Sequence, residues 1–132
     1  LSLLKVLADQ NYDVSLETGG GISIKEVDPR IKIILDIKTP ESGEEKKNHW
    51  DNLNLIHSKD EIKFVLCSRE DYDWAKKILN QYKLTEKCHV LFSPVYQKIN
   101  ATDLGNWILQ DQLPVRMQIQ LHKLLWGEKP GV

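Results

Sequence analysis

The sequence predicts an α/β protein whose parallel strands, about five of them, form part of a β/α barrel. Three observations lead there. Short β-branched runs alternate with amphipathic helical stretches, the pattern of right-handed βαβ units in a parallel sheet. The strands are apolar on one face and polar on the other, whereas a doubly wound parallel sheet is apolar on both. Each strand also ends on polar residues: Glu17-Thr18, Lys38-Thr39, Cys67-Ser68, Ser93 and His122. In β/α barrels that C-terminal rim carries the active site.

Leu3, Leu4, Leu7 and Ala8 have helical spacing. They read as the tail of a helix already under way in a chain cut from something longer, with a true N-terminal helix as the alternative. A signal peptide is rejected, because the basic region and the small-residue cleavage site are missing. Residues 14–17 form a short strand running into Gly19-Gly20-Gly21. Residues 31–38 form the second strand, with Ile31, Ile33, Leu35 and Ile37 on one face and Lys32, Asp36 and Lys38 on the other. A loop rich in Pro, Ser, Gly and charge covers 39–47, and Trp50, Leu53 and Ile56 suggest a short helix. Residues 61–67 form the third strand, placing Lys63 opposite Ile62, Phe64 and Leu66. Ser68 can cap a helix whose apolar face is Tyr72, Ala75, Ile78, Leu79 and Tyr82. Residues 89–92 form the fourth strand, and Asn100 or Thr102 starts a helix bearing Leu104, Trp107 and Ile108. The fifth strand covers 115–121, with Val115, Met117, Ile119 and Leu121 against Arg116, Gln118, Gln120 and His122. A short helix follows at 123–126. The polar faces suit a wet, ligand-filled cavity; the alternative is frayed or edge strands facing solvent.

The composition bounds the rest. The 132 residues suit one domain, 1–132, and 41% hydrophobic with 28% charged residues suit a folded core. Eighteen basic against nineteen acidic residues leave a net charge of −1, with no basic excess for nucleic acid or an anionic membrane. Apolar runs are too short to span a bilayer. Cys67 and Cys88 form no CxxC pair, and the four histidines show no HExxH spacing, so a metal site made by this chain alone is not expected. Two cysteines are compatible with a reducing cytoplasm. The triple glycine lacks the GxGxxG and GK[ST] fingerprints of nucleotide binding. His89 is expected on the strand face opposite Cys88, in a structural role. Ser68 and Cys67 have no evident base, so a nucleophile there is unsupported. Asn100-Ala101-Thr102 reads as a helix cap rather than a glycosylation site, and the four tryptophans as core.

A set of stretches carries a family resemblance: Val14-Ser15-Leu16-Glu17-Thr18-Gly19-Gly20, Asp36-Ile37-Lys38-Thr39-Pro40 with Ser42-Gly43-Glu44, Asp60-Glu61-Ile62-Lys63-Phe64-Val65-Leu66, Asp71-Tyr72-Asp73-Trp74-Ala75, Leu91-Phe92-Ser93-Pro94-Val95, and Gln118-Ile119-Gln120-Leu121-His122-Lys123-Leu124-Leu125-Trp126-Gly127. In order and spacing the chain resembles the 7-carboxy-7-deazaguanine synthases, radical S-adenosylmethionine enzymes of queuosine biosynthesis. The resemblance implies an incomplete barrel of the radical S-adenosylmethionine type and a cytoplasmic homodimer. It implies a lyase reaction turning 6-carboxy-5,6,7,8-tetrahydropterin into 7-carboxy-7-deazaguanine by radical ring contraction. The cofactors implied for the full-length enzyme are S-adenosylmethionine, a 4Fe–4S cluster and Mg2+. The family's CxxxCxxC-type motif and GGEP segment do not occur here, so the chain reads as a C-terminal portion that holds none of these cofactors alone and is inactive in isolation. Carried over by position, Glu17, Thr18, Gly19, Lys38 and Ser93 would line the S-adenosylmethionine site. Gln118, Gln120, His122 and the carboxylate of Val132 would face the pterin. No catalytic residue is assigned. The competing readings are a non-catalytic α/β ligand-binding domain and a cluster-independent lyase or hydrolase using Lys38 or His122.

Overall fold

The computed structural model describes residues 2–21 and 23–119. The element order is α1 (Ser2–Asp9), β1 (Ser15–Thr18), β2 (Lys32–Ile37), β3 (Glu61–Leu66), α2 (Arg69–Tyr82), α3 (Leu84–Lys87), β4 (His89–Pro94), α4 (Ala101–Asp111) and β5 (Arg116–Met117). Single-turn 3-10 segments at Pro40–Ser42, Glu45–Lys47 and Trp50–Asn54 lie between β2 and β3.

All five strands are parallel and stand in the sheet in chain order, β1-β2-β3-β4-β5. With right-handed crossovers, sequential order puts every connection on the same side of the sheet. The core agrees. Ile33, Leu35, Ile37, Ile62, Phe64, Leu66, Val90 and Phe92 are buried under Leu53, Tyr72, Ala75, Leu79, Leu84 and Leu104 from the connections. Among the described residues the other face has no such cover, and its residues along β2 and β3 are half-buried. The sheet is open at both edges, an α/β arrangement consistent with part of a β/α barrel.

The helix boundaries follow local chemistry. Ser68 Oγ accepts the Asp71 N–H at 3.1 Å and caps α2. Asn100 Oδ1 accepts the Thr102 N–H at 2.8 Å and caps α4, the role expected of it. Trp50 stacks on Tyr82 with ring centroids 5.6 Å apart, and Arg69 lies over both Tyr72 and Trp107. Trp50, Trp74 and Trp107 thus pack against the core, while Trp126 lies outside the described residues.

Two expectations are corrected. The fifth strand was expected over 115–121 but pairs only at Arg116–Met117; Gln118 and Ile119 are exposed coil, and the remainder lies outside the described residues. At this edge Val115 packs against the core, while Met117 is 37% exposed among the described residues. His89 was expected in a structural setting. It is exposed at the start of β4, level with Glu61 on the uncovered face.

Candidate functional site

The polar residues at the C-terminal strand ends are fixed mainly by backbone contacts. After β1 the chain turns through Gly20 at φ +72°, where a Cβ would come within 3.0 Å of Leu35 Cδ1. A left-handed backbone and this close approach both call for glycine. The turn is pinned by the Gly20 carbonyl, which accepts the His49 N–H at 2.8 Å. Gly19 lies against the Lys38 side chain, with space for a Cβ only 3.4 Å from Lys38 Cε.

Lys38 continues β2 by one residue. Its N–H donates to Asn48 Oδ1 and its carbonyl accepts from Asn48 Nδ2, both at 2.9 Å, so one side-chain amide substitutes for a neighbouring strand. Lys38 Nζ pairs with Asp36 Oδ2 at 3.1 Å. Thr39 turns inward: its hydroxyl donates to Asp71 Oδ2 at 2.9 Å. Asp71, fully buried, also accepts the Cys67 N–H at 2.9 Å and the Glu41 N–H at 3.1 Å. One carboxylate thereby ties together the ends of β2 and β3 and the first turn of α2.

Of the residues expected at the rim, Glu17, Lys38 and Ser93 share the uncovered face. Glu17 is level with Ile34, Ser93 with Val65, and Lys38 continues the alternation of Asp36. Lys38 and Ser93 stand two strands apart, roughly 10 Å. Gly19 adjoins Lys38, as above. Thr18 stands level with Leu35 on the packed side, and its Oγ1 accepts the Gly20 N–H at 3.4 Å. Gln118 is exposed just past β5 and donates its N–H to the Phe92 carbonyl at 2.9 Å. Gln120, His122 and Val132 lie outside the described residues.

The uncovered face is a charge mosaic that the sequence reading left largely unassigned. Lys32 pairs with Glu61 at 2.9 Å, and Lys63 reaches Glu17 across β2 at 3.8 Å. Ile34, Val65 and Leu91 lie among these charges, half-buried. Asp71 did leave a sequence signal, an acid three residues after a helix-capping Ser68. Asn48 left none, because its role depends on a loop folding back.

A cavity of about 140 Å3 lies at the opposite, N-terminal end of the strands, lined by Val27, Ile31, Leu55, His57, Lys59 and Asp60 among others. Its one buried carboxylate, Asp60, is already saturated by Lys59 and by the N–H groups of Ile33 and His57, each at 2.8 Å.

The residues present do not fit an iron–sulfur cluster. Cys67 follows the C-terminal end of β3 and Cys88 precedes β4, so the register separates them by nearly the whole length of the sheet, roughly 20 Å. Iron takes thiolates. Burial, with Asp60 and Glu61 nearby, pushes the Cys88 thiol up to about 11; burial, with Asp71 and Glu41, raises that of Cys67. Among the described residues, no three His, Cys, Asp or Glu side chains converge as a metal site.

Sheet and rim define a singly wound parallel β/α protein with a polar face, whose strand ends present Glu17 and Lys38, with Ser93 buried on the same side at 3% exposure. No family model matches the chain. Among curated proteins it is similar to 7-carboxy-7-deazaguanine synthases, as the motif resemblance implied. It is 42% identical to the one from Chlorobaculum tepidum over 95% of the chain, 36% identical to that of Koribacter versatilis over 96%, and 30% identical to that of Clostridium acetobutylicum over 100%. The chain spans only 58% to 62% of the length of these three relatives.

Proposed function

We propose that this chain is the C-terminal portion of a 7-carboxy-7-deazaguanine synthase and supplies the substrate- and S-adenosylmethionine-facing rim of that enzyme. The reaction is the radical ring contraction of 6-carboxy-5,6,7,8-tetrahydropterin, a lyase step toward queuosine and tRNA modification, in a cytoplasmic homodimer. The carrying observation is 42% identity sustained over 95% of the chain to a synthase of that name. The uncovered face supports it, because a radical reaction needs a site shielded by protein yet polar enough to orient a heterocycle. The 4Fe–4S cluster, which supplies the reducing electron, is held by residues other than those of this chain, which has only two cysteines. Mg2+ completes the cofactor set. Within this chain Glu17, Gly19, Lys38 and Ser93 orient S-adenosylmethionine, with the Thr18 hydroxyl holding the Gly20 turn. Gln118, Gln120 and His122 face the pterin.

The test is a chimera in which this chain replaces the matching segment of the Chlorobaculum tepidum synthase. It is reconstituted anaerobically with iron, sulfide, S-adenosylmethionine and Mg2+. Mass spectrometry should detect 7-carboxy-7-deazaguanine. A chimera that folds and loads its iron but forms no product overturns the reading.

A further inference from the structure

Lys63 stands out among the lysines. It occupies β3, the central strand, and its side chain is only 16% exposed. The partly exposed Lys32, Lys38, Lys59, Lys76 and Lys87 each place Nζ within 3.1 Å of an acceptor. Lys63 does not. Among the described residues its one ion-pair partner is Glu17 Oε1 at 3.8 Å, beyond hydrogen-bond reach, on a side chain that is 60% exposed; Asp36, level with it on β2, is engaged by Lys38. An ammonium group carries three donors, and here no close protein acceptor engages them, so they are left to solvent or to a bound ligand.

We infer that Lys63 is the carboxylate-binding residue of the uncovered sheet face, receiving the carboxylate of a heterocyclic small molecule laid against Val65 and Leu91. The inference rests on the proposed function for its choice of ligands. The surrounding charges set the ligand's charge. Asp36 is already neutralised by Lys38, and Glu61 by Lys32. That leaves Lys63 and Glu17 as the loosely held pair among the described residues of this face, and a monoanionic carboxylate adds the smallest excess charge to it. A phosphate dianion would set a second negative charge beside Glu17, Asp36 and Glu61. The half-buried Leu91, level with Lys63, and Val65, diagonal to it on β3, give a flat ring an apolar bed on the same face. Glu17, held at 3.8 Å by a long exposed side chain, is free to swing aside or to accept from the ligand's N–H groups.

Both S-adenosylmethionine and the pterin substrate bear a carboxylate, so the experiment uses two matched pairs. The reconstituted chimera is titrated calorimetrically with 6-carboxypterin against pterin, and with S-adenosylmethionine against decarboxylated S-adenosylmethionine. For the ligand that Lys63 serves, the carboxylated member should bind about ten- to a hundredfold tighter. Lys63→Met and Lys63→Gln should abolish that preference, and Lys63→Arg should keep much of it. If both neutral variants melt like the wild type and retain its preference, Lys63 is not the receptor, while the proposed site stands. If the reconstituted wild-type chimera binds neither pair, the inference and the site reading fall together. Preference lost as expected, with an inactive chimera, leaves Lys63 in place and removes the synthase reading.

Discussion

Asp60 shows how a single side chain sets the acid limit of this fold. Burial to 1% exposure by itself would raise its carboxyl, but Lys59 and the N–H groups of Ile33 and His57 outweigh burial and hold it below its ordinary value of 3.8. On acidification the unfolded chain therefore takes up this proton first. The stability Asp60 contributes is present above the unfolded value and is lost as pH falls through the lower folded one. Asp111, held down by the Tyr72 hydroxyl and Lys76, acts in the same direction. Urea midpoints measured from neutral pH down to about pH 3 should fall steeply at the acid end. In Asp60→Asn the starting midpoint should be lower and the acid loss shallower. A variant with the wild-type slope would remove Asp60 from the account.

At the scale of elements, the carboxylate of Asp71 joins what the chain connects only at a distance. Thr39 and Glu41 leave β2, Cys67 leaves β3, and all three donate to a residue in the first turn of α2. Asp71→Ala leaves those donors without their acceptor, and charge-assisted bonds of this kind are worth about 1.5–3 kcal/mol each, not additively. We expect a loss of about 3 kcal/mol by denaturant unfolding, against about 1 kcal/mol for Ser68→Ala, which removes only a cap. Equal losses would mean that capping is all the helix start does.

The same elements show what can be read from sequence. The apolar side of β2 was legible, because Ile31, Ile33, Leu35 and Ile37 repeat at the period of a strand and all are buried. So were the caps at Ser68 and Asn100, which act within a few residues of their own position. The motif resemblance likewise pointed to the relatives the chain matches. The Asn48 amide beside Lys38 was not legible, since no local pattern says that a loop ten residues on returns to pair with a strand end. Nor was the short reach of β5, because alternation at 115–121 specifies faces but not whether a partner is present to pair with. Lys63 was visible as a polar strand residue, but its lack of a close acceptor depends on where Glu17 and Asp36 stand in three dimensions.

For the molecule as a whole, the order of strands also governs how it comes apart. Each strand pairs only with the strands before and after it in the chain, so the sheet is a one-dimensional stack, and opening one end leaves the other pairings intact. Amide hydrogen exchange should register this as a gradient: slowest in β3, flanked by six-residue strands on both sides, faster in β1, and fastest in the two-residue β5. Uniform protection across all five strands would mean that the sheet opens as a unit. A graded sheet has a further consequence. Material can be added to or taken from an edge with little disturbance to the centre, so Lys63 on β3 sits at the most slowly opening position of the uncovered face, while Glu17 opposite it rides on an edge that frays.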